Sequence, residues 1–113
     1  MSLEHRQSGE VIDLNDLGPE LGGKISVSIL RSRDLQLLRL VLKAGEGLSD
    51  HHVEGEIFVQ CLSGHVMFGV NNVEQPMGPG MLIHLEGGVS HTVRATEDSV
   101  LLLTISHLSA ENA

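Results

Sequence analysis

From residue 25 onward the chain alternates strand-like runs with turns, the first of them with the two-residue apolar period of a strand that buries one face. Ile25, Val27 and Ile29 lie two apart, with Ser26 and Ser28 between them. In the run 35–42, Leu38, Leu40 and Leu42 share one face, while Leu37, Arg39, Val41 and the following Lys43 share the other. Further runs span residues 57–62, 65–70, 73–75, 81–85, 91–95 and 100–105, and a short strand is expected at 11–14. Turn chemistry separates them: turn residues through Gly23, Ala44-Gly45-Glu46-Gly47, Ser63-Gly64, residues 76–80, the Gly-rich stretch 86–90, and Glu97-Asp98. Asn71-Asn72 predicts a tight hairpin.

No segment carries helical periodicity over eleven residues or more. Short strands with Gly-rich turns predict an all-β sandwich or a closed barrel, which removes unpaired strand edges. The expected organisation is a polar arm over residues 1–10 and one domain over 11–108.

Composition sharpens this picture. The 113 residues are 41% hydrophobic and 19% charged, as in a globular domain. The aromatics are Phe58 and Phe68, with no Trp or Tyr, so the core is aliphatic. The net charge of −8, seven Lys and Arg against fifteen Asp and Glu, lacks the basic cluster that phosphate contacts need and argues against nucleic-acid partners. No run approaches the roughly 20 apolar residues of a membrane-spanning helix, and residues 1–10 contain no apolar signal segment. A cytoplasmic location is expected. Cys61, the single cysteine, sits in an apolar run and reads as a buried, inert thiol. Apolar residues on both faces of 35–42 suggest a homodimer.

Candidate chemistry lies between Gly45 and Ala95. The segment Gly80, five residues, Glu86, one residue, Gly88, two residues, His91 keeps the spacing G-x5-P-x-G-x2-H, with Glu86 at the Pro and Ala95 at a following Asn. Upstream, Gly45 is followed after five residues by His51, with His52 adjacent, Val53 at the next His position and Glu56 near an expected acid. Seven residues separate Glu56 from Gly64 where the pattern has six; counting back from Gly64 instead selects Asp50, His52 and Ile57. Together these segments resemble the two signatures of the cupins, G-x5-H-x-H-x3,4-E-x6-G and G-x5-P-x-G-x2-H-x3-N.

The resemblance implies a double-stranded β-helix, the jelly-roll barrel. It also implies a divalent transition metal (Fe, Mn, Ni, Cu or Zn) held inside the barrel by imidazole and carboxylate groups, with an open position for substrate. The residues matching such ligands are His51, His52, Glu56 and His91, with Gln60 and His84 as further pocket-lining candidates. Adjacent strand residues point to opposite faces, so His51 and His52 share the interior only at a bulge or loop. A His51, Glu56, His91 set resembles the two-His-one-carboxylate arrangement of non-haem iron oxygenases. His5, His65 and His107 read as surface residues. Two functions stay open: a metal-dependent enzyme, such as an oxygenase or isomerase, acting on a small molecule, and a metal-free module binding a small ligand in the barrel mouth.

Overall fold

A computed structural model of the chain describes residues 8–14 and 26–107, without the side chains of Asp50 and His51. Its strands are β1 (Val27–Arg31), β2 (Leu35–Leu42), β3 (Gly47–His51), β4 (Ile57–Ser63), β5 (Val66–Val70), β6 (Val73–Met77), β7 (Leu82–Leu85), β8 (His91–Ala95) and β9 (Ser99–Ser106). Among the described residues there is no helix. The expected strand at 11–14 is not formed; that segment is irregular, and Ile12 and Leu14 pack against Ile29 instead. Most of the arm expected over 1–10, and the expected start of β1 at Ile25, lie outside the described residues. β3 was not anticipated, because Leu48-Ser49-Asp50 carries no apolar alternation.

The strands form two antiparallel sheets, ordered β1-β2-β9-β4-β7 and β3-β8-β5-β6. Their inner faces meet in one aliphatic core. On the larger sheet, Ile57 pairs with Ile105, Val59 with Leu103 and Cys61 with Leu101. On the smaller, Val66 pairs with Ala95, Phe68 with Val93 and Val70 with His91. Strict alternation along β4, with Ile57, Val59 and Cys61 buried and Phe58 and Gln60 exposed, sets which face of the larger sheet looks inward. Leu42, Met77, Leu85 and Leu101 complete the core.

A second apolar cluster lies apart from the first. The β1–β2 pairing shifts register between Ser28 and Leu30, and Ile29 at that bulge is completely buried against Leu37, Leu102, Ile12 and Leu14. The apolar second faces of β2 and β9 are therefore used partly within the chain. The β5–β6 hairpin turns at Asn71 and Asn72, both in the left-handed region that Asn tolerates better than most residues.

Leu101 is 1% exposed and belongs to the core that both sheets share. Leu101→Ala is expected to lower the free energy of unfolding by about 3 kcal/mol through lost burial and a residual cavity, measured by urea denaturation.

Candidate functional site

His91 opens β8, and alternation with Val93 and Ala95 turns its side chain into the core, where it is 4% exposed. Its ring stacks on Phe68, with centroids 5.4 Å apart and planes 12° from parallel. Nδ1 lies 3.2 Å from the carbonyl oxygen of Val89. A carbonyl only accepts, so Nδ1 is the protonated nitrogen, and in the neutral ring Nε2 bears the lone pair. Phe68 and the Val89 carbonyl went unnoticed in the sequence. Phe68 was legible through its parity with Val66 and Val70; a backbone carbonyl has no sequence signal.

The β3–β8 ladder places His51 as the Cα partner of His91, across a register shift that begins after Leu48. Beyond this backbone position, the side chain of His51 is outside the described structure. His52 follows the strand and is exposed. Val53 packs onto the core, and its carbonyl accepts a hydrogen bond from the Gly88 amide at 2.8 Å. The same contact tightens at Gly87, where a Cβ would collide with the Glu54 carbonyl. The β3–β4 and β7–β8 loops thus close over the His91 end of the barrel.

Glu56 is not in this group. Its carboxylate Oε2 meets His84 Nε2 at 2.6 Å, with both side chains about half exposed (54% and 43%). His84 is the register partner of Phe58, and their rings lie 4.9 Å apart. Gln60 pairs with the exposed Leu82 on the same outward face. Glu56, His84 and Gln60 were expected as ligand or cavity residues; the structure sets them on the outside instead. The physical reason is parity: Ile57 takes the inward position, 2% exposed, so its neighbour Glu56 turns to solvent. At this position the count back from Gly64, which puts Ile57 at the acid, agrees with strand parity, while the His52 of that same count is exposed.

Among the described residues, no three His, Cys, Asp or Glu side chains come close enough to hold a metal ion. Cys61 is fully buried, and desolvation pushes its thiol up from the ordinary value, which keeps it protonated. His65 is a surface residue, its Nδ1 3.0 Å from Glu97, and His107 pairs with Gln36 at 3.0 Å.

The two-sheet architecture and the placement of the second signature's His91 in the barrel agree with the comparison to known families. The model of the Cupin domain family matches residues 38–106. The chain belongs to the cupins. Among solved structures, this cupin is similar to a conserved protein of unknown function from Streptococcus pyogenes, at 20% identity and TM-score 0.74, covering 97% of each chain. It is similar to an RmlC-like cupin from Desulfovibrio desulfuricans at 26% identity and TM-score 0.67, covering 73% of this chain and 80% of that one. A salicylate 1,2-dioxygenase from Pseudoaminobacter salicylatoxidans, a mutant in complex with gentisate, matches at 15% identity and TM-score 0.63, over 70% of this chain and 21% of that one. No functionally curated protein matches the chain in sequence. No helix among the described residues is long and apolar enough to cross a membrane.

Two measurements check this geometry. Glu56→Gln is expected to change stability by less than about 1 kcal/mol, as for exposed ion pairs, whereas Ile57→Glu, one residue on, costs more than about 3 kcal/mol by burying a charge; urea denaturation of both variants reads the contrast. Cys61 should resist a disulfide-exchange reagent at about pH 8 in the native protein and react fully once unfolded, as followed by absorbance.

Proposed function

We propose that this cupin binds a small, largely apolar organic molecule at the His91 end of its barrel, with the imidazole as the polar contact and without a carboxylate-held metal. Ile57 carries this reading. At the position where the family signature has its acid, the core contains a hydrocarbon side chain, while Glu56 is engaged outside by His84. The described donors therefore do not fit the family's set of three imidazoles and one carboxylate. The walls near His91, including Phe68, Val70 and Val93, are apolar, which suits a hydrophobic ligand anchored by one hydrogen bond. Binding at this end requires the loops joined by Gly88 and Val53 to part, since His91 is 4% exposed with them closed.

A second reading retains a divalent transition metal and an enzymatic role. The observation in its favour is the backbone register of His51 with His91. His91, His51 and a further donor would hold the ion, which would supply Lewis-acid or redox chemistry to a small substrate. In both readings the protein is cytoplasmic and works as a homodimer. The exposed Phe58, Met81 and Leu82 support association, and the net charge of −8 speaks against nucleic acid as a partner.

The readings part in two experiments. Protein purified without chelator and without added metal is expected to contain less than about a tenth of an equivalent of any transition metal and to take up none from Zn, Ni or Mn titrations, read by elemental analysis and calorimetry. Near-stoichiometric metal that disappears in His91→Ala overturns the proposal in favour of the second reading. In an NMR fragment screen, ligands of the proposed site perturb Phe68 and Val93, and His91→Leu weakens them about tenfold, the worth of one hydrogen bond.

A further inference from the structure

The outer face of the smaller sheet carries a cavity of about 540 Å³. It is lined by Gly69, Asn71, Asn72, Glu74, Ser90 and Thr92, among others, drawn from the β5–β6 hairpin, the β7–β8 loop and β8. Gly69, Glu74 and Thr92 are register partners across three strands and so share this face.

Gly69 is unusual for its place. It is buried within β5, and the ladders to β6 and β8 run through it without a bulge. Its backbone is outside the left-handed region, so no turn or bulge demands a glycine. A mid-strand glycine costs conformational entropy and packing, and commonly marks a place where another group approaches the backbone. Here a Cβ would collide with the Thr92 hydroxyl. The glycine lets that hydroxyl settle over the backbone and leaves the cavity with a low, polar floor.

The rim supplies matching groups. Asn71 and Asn72, at φ 54° and 63°, stand at the hairpin tip. The Glu74 carboxylate is partnered by Arg94 at 3.3 Å, which offsets its charge. Amides and hydroxyls combine donor and acceptor in one side chain, the pattern that a pair of neighbouring hydroxyl groups satisfies. With its carboxylate already paired, the site favours an uncharged ligand. No aromatic lines it, so hydrogen bonds rather than stacking carry recognition.

We infer that this cavity is a binding site for a small neutral polyol, recognised through vicinal hydroxyl groups by Asn71, Asn72 and Thr92. It lies on the opposite face of the smaller sheet from the barrel site proposed above.

The test is a titration of isotope-labelled full-length protein with myo-inositol, and separately with glycerol and D-glucose, read by NMR. Saturable shifts confined to residues 69–74 and 88–92 are expected for at least one probe. Thr92→Val, which keeps the branched shape and removes the hydroxyl, should weaken that binding about tenfold with no change in fold. Shifts at Phe68 and Val93 should be absent, which separates this site from the barrel. Shifts that stay linear up to about 100 mM of all three probes, shifts centred on Phe68 and Val93, or an unaltered affinity in Thr92→Val would each overturn the assignment.

Discussion

The inward alternation of β4 is the constraint on which the rest of this molecule depends. β4 lies between β9 and β7, hydrogen-bonded on both sides, and buries Ile57, Val59 and Cys61 at 2%, 1% and 0% exposure. A slip by one residue would expose those three and bury Phe58, Gln60 and a charged Glu56. Burying an unpaired carboxylate costs far more than any local interaction would return. Register is therefore fixed by hydrophobic burial, and the location of every polar group on this wall follows from it.

That constraint sorts the chain's chemistry into compartments. His91 goes inside, stacked on Phe68 and bonded through Nδ1 to the Val89 carbonyl. Glu56 and His84 go outside, bonded to each other beside Phe58. In a cupin with an acid at the inward position, carboxylate and imidazole would converge in the barrel; here an isoleucine intervenes. The loops over the His91 end are held together by a backbone bond between Gly88 and Val53.

The outer surfaces divide by chemistry as well. On the larger sheet, Ile29, Ile12 and Leu14 cover part of an apolar face, while Phe58 and Leu82 stay 42% and 58% exposed. The smaller sheet presents Thr92, Arg94 and Glu74 instead, with the polar cavity around Gly69. A small chain with an aliphatic core thus combines a closed interior, an apolar flank and a polar one.

Much of this was legible in the sequence. Period-two alternation located most strands, because burial of one face writes itself directly into residue order. The spacing from Gly80 to His91 resembles the second cupin signature, and that resemblance implied the barrel and an inward histidine. β3 escaped notice because its pairing with β8, rather than its own pattern, makes it a strand. Glu56 was misplaced because motif spacing alone left one residue of freedom. Local sequence states how often faces alternate. Which face is the inside was decided only when β4, β9 and the smaller sheet packed together, for only tertiary burial distinguishes Glu56 from Ile57.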